Sequence, residues 1–383
     1  MSAAAGACIV GAAMTEFSKD SGRPAERLAI EVATAACADA GLDPSVIDGI
    51  VPFPHGPTAE DLMAGLGLPD VRFTAVPHLG GASSVAAVRL AAMAVTSGHA
   101  DHVLVYVARN GRSASRVEER VASLLPGQRY RRNLEHPHGM TTPAQWYSLI
   151  CRRHMHEFGT TRAHLGEVAV TMRAHAQLNE HAQMYGRPLT MEQYLAGRPI
   201  ADPYWLYDCC LETDGAGAVL VTTAERASDL RQRPVRLAGA AEGHAESADD
   251  IINRRDLFNT GLTKAAPRAF GLAGVAPADV DAAMIYDCFT FEVIQQLEEA
   301  GFCPRGGGGE FVADGGIGLG GQLPVNPHGG LLSEGHIAGM NHLVEAVTQL
   351  RGQAGERQVA GAEVVAVTGW GDMGDGALAV LTV

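Results

Sequence analysis

Two seven-residue segments, DGAGAVL at Asp214–Leu220 and DGALAVL at Asp375–Leu381, repeat one another almost letter for letter in opposite halves of the chain. Each comes after an apolar, strand-like run: HVLVYVARNG (102–111) in the first half and EVVAVTGWG (363–371) in the second. Near-continuous apolar runs of this kind suit central strands covered on both faces. A strand-like run followed by a DGAxAVL strand, met twice, is what duplication of one α/β unit leaves behind. Two such units stacked on each other account for a chain of 383 residues.

The rest of the pattern alternates strands with helices, as an α/β fold with buried sheets requires. CIVGAAMTEF (8–17) reads as a strand, and PAERLAIEVATAACADAG (24–41) as a helix closed by glycine. DGIVPFP (48–54) and VRFTAVPH (71–78) are further strands, and GGASSVAAVRLAAMAV (80–95) turns on two glycines into an alanine-rich helix. Between about 110 and 205 the character changes: this stretch is rich in arginine, holds the HPHGMTTPAQW turn, and predicts helices over 143–157 and 163–179. It reads as a cap inserted into the first half. The expected organisation is therefore a first half over 1–233, carrying that insertion, and a second half over 234–383.

The net charge of −14 argues against a nucleic-acid-binding surface. No stretch of eighteen apolar residues is free of charges and turn formers, so no membrane span is expected. The opening MSAAAGACIVGAAMTEF has no basic segment before its apolar run and reads as a first strand rather than a signal peptide. Cysteines 8, 37, 151, 209, 210, 288 and 303 show no CxxC spacing, which points to reduced thiols and a cytoplasmic protein. The histidine-dense spots HPH (136–138) and HMH (154–156) lie outside any HExxH pattern, and no metal site is expected.

Three segments concentrate groups that do chemistry. The first is the glycine turn at 80–84, which opens a helix N-terminus. The second is MIYDCFTFEVIQQLEEAGFCP (284–304), where an apolar strand ends in Tyr-Asp-Cys-Phe and a helix begins near Thr290, a residue suited to an N-cap. Strand C-termini are where open α/β sheets place ligands. The third is VNPHGGLLSEGHIAGMNH (325–342), whose glycines let backbone N–H groups approach a carbonyl or phosphate.

The third segment resembles the NPxGGxxxxGHPxGxxG signature of thiolases. YDCF with the following GFCP is similar to the HDCF…GLCP segment of the sterol-carrier-protein type. PAQWYSLICRRHMHEFGTT, RPIADPYWLYDCCLETDGAGAVLV and the GWGDMGDGA ending resemble the lipid-transfer, thiolase-like branch of that group. Together these motifs run nearly end to end. The resemblance implies the thiolase fold: two duplicated βαβαβαββ halves in a five-layer αβαβα arrangement, as a homodimer.

It also singles out three departures. Family thiolases carry a nucleophilic cysteine in the turn that matches GASS (81–84), and Gly81 stands in its place. A glycine forms no acyl thioester, so the first step of the two-step thiolase mechanism is lost. Ser83 and Ser84 read as small residues that cap and pack a helix. Tyr286 replaces the histidine of HDCF, which helps hold the oxyanion of an acyl thioester or enolate; a phenol also donates a hydrogen bond and exchanges protons. His336 is kept, although Ile337 and His342 depart from the GHPxGxxG signature. Cys288 is retained at the position where these thiolases place an acid–base cysteine.

The expected catalytic residues are therefore Tyr286, His336 and Cys288. Gly81, Ser83, Asn326, His328 and Gly371 are the oxyanion or substrate-binding candidates. A thiolase-like pocket without an acylating cysteine suits retro-aldol cleavage of a β-hydroxyacyl-CoA, with the coenzyme A thioester as substrate and no further cofactor. Steroid side-chain-cleaving aldolases of the thiolase-like type resemble the chain in length and in lacking the nucleophile, and they imply an OB-fold/zinc-ribbon partner protein. Two other readings stay open: an acyltransferase with altered catalytic residues, and a non-catalytic subunit that binds acyl-CoA.

Overall fold

Strand pairing repeats along the chain with the same signs. The computed structural model describes residues 6–383 apart from 115, 118, 120, 121, 123–127, 248–250, 252, 372 and 373. Its strands are β1 (Ala7–Met14), β2 (Gly49–Pro52), β3 (Phe73–Thr74), β4 (Val103–Asn110), β5 (Pro199–Ala201), β6 (Tyr204–Trp205), β7 (Asp214–Thr223), β8 (Val235–Gly243), β9 (Ala282–Met284), β10 (Val364–Gly371) and β11 (Asp375–Thr382). The longer helices are α1 (Ala25–Ala40), α2 (Ala59–Leu66), α3 (Ser83–Thr96), α4 (Pro143–Phe158), α5 (Arg162–Ala176), α6 (Gly261–Ala273), α7 (Thr290–Glu299) and α8 (Met340–Leu350).

Nine strands form one mixed sheet in the order β3-β2-β4-β7-β1-β8-β11-β10-β9, and β5 and β6 form a separate hairpin. In the first half β7 runs antiparallel between β1 and β4, while β2 is parallel to both β4 and β3. In the second half β11 runs antiparallel between β8 and β10, β9 is parallel to β10, and Val325 bridges in parallel to Ala283 of β9. Among the described residues, strand pairing joins the two half-sheets at Cys8↔Arg236 and Ile9↔Val235. The two DGAxAVL segments open β7 and β11, the equivalent central strands.

Three apolar cores separate the layers. One lies between α1 and the first half-sheet, with Leu28, Val32, Ile50, Leu104 and Leu220. The middle core takes side chains from both half-sheets (Val105 and Val219, Val367 and Ala379) and wraps them around α3 and α8. The third covers the outer face of the second half-sheet with α6, α7 and the inserted α4 and α5. The result is the five-layer αβαβα stack. Because α3 has a sheet on either side, it is buried almost all round, and its run of alanines lets two sheets close on one helix.

Residues 111–213 separate β4 from β7, whereas Gly371 pairs directly with Asp375 at the β10–β11 turn. The inserted helices α4 and α5 lie where the sequence predicts them, the second ending three residues early. Of VRFTAVPH only Phe73–Thr74 joins the sheet, as its edge strand β3; residues 75–79 lead instead into the turn before α3. No helix among the described residues is long and apolar enough to cross a membrane.

Candidate active site

Tyr286 follows β9 and is fixed at both main-chain groups. Its N–H donates to Thr368 Oγ1 on β10 at 3.1 Å, and its carbonyl accepts from Gln296 Nε2 on α7 at 2.6 Å. Thr368 donates its hydroxyl to Gln296 Oε1 at 2.6 Å, which closes the clamp. Asn326 secures the preceding residue: its Oδ1 accepts from Ile285 N at 2.7 Å, and its Nδ2 donates to Ile285 O at 2.8 Å. Both ends of the Asn326 amide are thus committed to holding the strand end.

This backbone aims the phenol at His336, with Oη and Nε2 3.2 Å apart. His336 follows the glycine-rich loop after Val325, and its main-chain N–H donates to Thr213 Oγ1 at 2.9 Å. The other ring nitrogen, Nδ1, lies 3.8 Å from Cys210 Sγ. Cys210 closes the inserted segment, which pairs with the end of the YDCF motif: Cys210 N donates to Cys288 O at 3.0 Å, and Cys209 bridges Phe289. The structure therefore brings together Tyr286, His336 and Cys288 as the sequence groups them, and adds Cys210.

Gly81 lies against the same phenol. A Cβ built on Gly81 would stand 2.3 Å from Tyr286 Cζ, 2.5 Å from its Oη and 2.4 Å from Trp370 O. No side chain fits there without movement of both the ring and the Trp370 carbonyl. The ring of Tyr286 and the main-chain carbonyl of Trp370 together fill the space that a side chain at 81 would need. Gly371 serves the same close packing, since a Cβ there would sit 2.2 Å from Gly81 N.

Ser83 Oγ accepts from Leu79 N at 2.9 Å, and Ser84 donates to Ala338 O at 2.7 Å, so both hydroxyls tie down the helix start. Thr290 is the first residue of α7 rather than its cap, and its hydroxyl donates to Asp208 Oδ1 at 2.7 Å. His328 is fully buried; its Nε2 is 2.9 Å from His342 Nδ1, and His342 in turn lies 3.2 Å from Asp287. That file of groups stands behind the Tyr286 ring.

Burial decides the protonation states. The Tyr286 phenol is pushed well above its ordinary pKa by desolvation, with the neighbouring Cys288 and Cys210 adding to the rise and Arg109 opposing it. Burial raises the Cys288 thiol in the same way, helped by Glu292 and Cys210. Both are therefore proton-bearing donors at rest. Glu292, buried and bonded by Tyr204 Oη at 3.0 Å, is pushed up to about 8.

Two contributors escaped the sequence reading. Arg109, next to last in β4, lies on the face of Val103, Val105 and Val107, so the period of two carries a cation into the middle layer beside Tyr286 and Cys210. An arginine at an inward position of an apolar strand was the available signal. Cys210 carried none, because its place depends on where the insertion ends. Cys209 and Cys210 line a cavity of about 410 Å³ on the side of Cys210 away from Tyr286, whose wall is largely apolar (Met184, Leu189, Leu332) and also carries Lys19, Arg112, Arg173 and Glu212.

Residues 243–382 match the family described as "Thiolase C-terminal domain-like". A 17-hydroxy-3-oxo-4-pregnene-20-carboxyl-CoA lyase of Mycobacterium tuberculosis (strain H37Rv) is 42% identical over 369 residues, 94% of this chain and 95% of that protein. The chain belongs to the thiolase superfamily. A steroid side-chain-cleaving aldolase of Thermomonospora curvata is 41% identical over 90% of each chain. Among solved structures, the Ltp2-ChsH2(DUF35) aldolase superposes with a TM-score of 0.91 at 39% identity, covering 99% of this chain and 98% of that one. A monomeric SCP2-thiolase-like protein of Mycobacterium smegmatis shares the fold, with a TM-score of 0.75 at 19% identity.

Proposed function

We propose that the chain is an acyl-CoA carbon–carbon lyase that cleaves a β-hydroxyacyl-CoA to a carbonyl product and a shorter acyl-CoA. The observation that carries this reading is the Tyr286 ring in the space of a side chain at 81, which removes the place for an acyl-enzyme and leaves a phenol there. In the cleavage the β-hydroxyl proton passes to Tyr286 Oη as Tyr286 gives its own to His336 Nε2. The Cα–Cβ pair becomes the thioester enolate, and the β-carbon leaves as a carbonyl. Arg109 offsets the charge that develops beside the phenol. The relatives named as a lyase and as aldolases support the same reaction class. The solved relative pairs Ltp2 with ChsH2(DUF35), and a small second protein of that kind, together with a homodimeric core, belongs to the proposal.

A second reading rests on Cys210, whose thiol lies beside an imidazole as a substitute nucleophile would. The test incubates the chain, alone and with its partner, with a β-hydroxyacyl-CoA. Carbonyl and shorter acyl-CoA in equal amounts support the lyase. A stable acyl adduct by intact mass, without carbonyl release, overturns it in favour of acyl transfer.

A further inference from the structure

We infer that Cys210 is the acid that protonates the α-carbon of the enolate, recharged through His336 by the proton that Tyr286 takes from the substrate hydroxyl. This rests on the lyase reading and adds a residue and a proton route to it. Both thiols near Tyr286 were open to this role, and geometry separates them. Cys288 is 7% exposed, packed in the third apolar core among Phe289 and Phe291, and its neighbours Asp287 and Glu292 are acids. Cys210 is half-buried, lines the cavity of about 410 Å³, and has its sulfur 3.8 Å from His336 Nδ1. His336 is itself half-buried and touches Tyr286 Oη through its other nitrogen at 3.2 Å. Oη, imidazole and Sγ thus form a three-membered file from the deepest point of the site to the cavity wall.

The protons balance without an outside acid. With Nε2 accepting from the phenol, the neutral ring carries its proton on Nδ1. As the Cα–Cβ bond breaks, the substrate hydroxyl proton moves to Tyr286 Oη and the phenol proton moves to Nε2. The Cys210 S–H proton goes to Cα, whose electron pair forms the new C–H bond. The thiolate left behind takes the proton from Nδ1. Tyrosine and thiol end as they began, and the ring ends in its other neutral tautomer, which exchange with water at its half-buried edge resets. The geometry also accounts for a cysteine at the end of the insertion: the segment that closes over the second half delivers the last member of the file.

The test reads α-proton chemistry apart from cleavage. Butyryl-CoA is incubated with the protein in D2O, and deuterium at Cα is followed by mass spectrometry for wild type, Cys210→Ser and Cys210→Ala. Exchange is expected to fall at least about thirtyfold in Cys210→Ala and less in Cys210→Ser, with the KM for butyryl-CoA within twofold, in keeping with loss of one acid–base group. Exchange at the wild-type rate in Cys210→Ala overturns the proposal. Should that variant fail to fold, wild type treated with iodoacetamide decides. Carboxamidomethylation mapped to Cys210 and slowed by butyryl-CoA should abolish exchange; exchange that survives complete modification of Cys210 overturns the role. Wild type that exchanges yet cleaves no β-hydroxyacyl-CoA refutes the lyase reading while leaving Cys210 as the α-proton acid.

Discussion

Helices α2 and α7 hold equivalent places in the two halves, each following the parallel strand next to β4 or β10, yet they live in different media. Helix α2 keeps a Thr58–Asp61 capping box and buries only Ala59 and Leu62. Helix α7 buries nine of its ten residues, among them Glu292, Gln295, Gln296 and Glu299. The cause is the insertion between β4 and β7, which leaves the first half and covers the second: Trp146, Ile150, Leu165 and Val168 of α4 and α5 share one core with Phe291 and Ile294 of α7. A duplicated frame thus became two different halves. The first contributes space at Gly81 and a cation at Arg109. The second, under its cover, contributes Tyr286 and His336, and the insertion that covers it supplies Cys210.

The sharpest break of this contrast strikes the second half's file directly. Tyr286→Phe and His336→Ala should each lower kcat for cleavage by about 10²–10⁴, with KM changing far less. Steady-state kinetics within threefold of wild type would place the chemistry elsewhere.

Next in size is the steric exchange between the halves. Gly81→Ala drives a methyl group into the Tyr286 ring and should cost about 1–3 kcal/mol in urea unfolding. Adding Tyr286→His should recover only part of that loss, because the Trp370 carbonyl still stands against a Cβ at 81.

A smaller effect tests the dry environment of α7. The Glu292 carboxyl is raised to about 8 and that of Glu299 to about 7 by burial, from ordinary values near 4.5. The folded chain therefore keeps protons that the unfolded chain has released, so stability falls as pH rises from about 4.5 to 8. Glu292→Gln should flatten that slope in thermal melts, and no equivalent substitution in α2 should. A slope unchanged in Glu292→Gln would mean that water reaches the helix.

The smallest expected effect lies at the seam of insertion and helix. Thr290→Val removes the hydroxyl bond to Asp208 and should cost about 1 kcal/mol, measured by urea unfolding. A neutral result would show that the insertion holds α7 by apolar packing and by the Tyr204–Glu292 and His154–Glu298 contacts instead.

Much of this was legible beforehand. The DGAxAVL echo marked β7 and β11 because central strands under two layers must be apolar wherever they recur. Tyr286 and His336 were legible through motifs, since each stands at a strand end or glycine loop whose backbone admits few alternatives. Cys210 was not, because its partner is 126 positions away and no local pattern marks the end of an insertion. Asn326 and His328 illustrate the same limit. Their motif placed them beside the site, and only the folded chain shows the amide spent on Ile285 and the imidazole buried against His342.

By itself the sequence determined two duplicated α/β halves, because periodicity and a repeated segment are local properties, and its thiolase-like motifs marked Gly81 as the place where an acylating cysteine is absent. Which half would be dry, which thiol would face the cavity, and that Tyr286 fills the space left at Gly81 were decided by tertiary structure alone. Each of these depends on the distance between segments far apart in the chain, and packing two half-sheets onto α3 under a long insertion is what sets those distances.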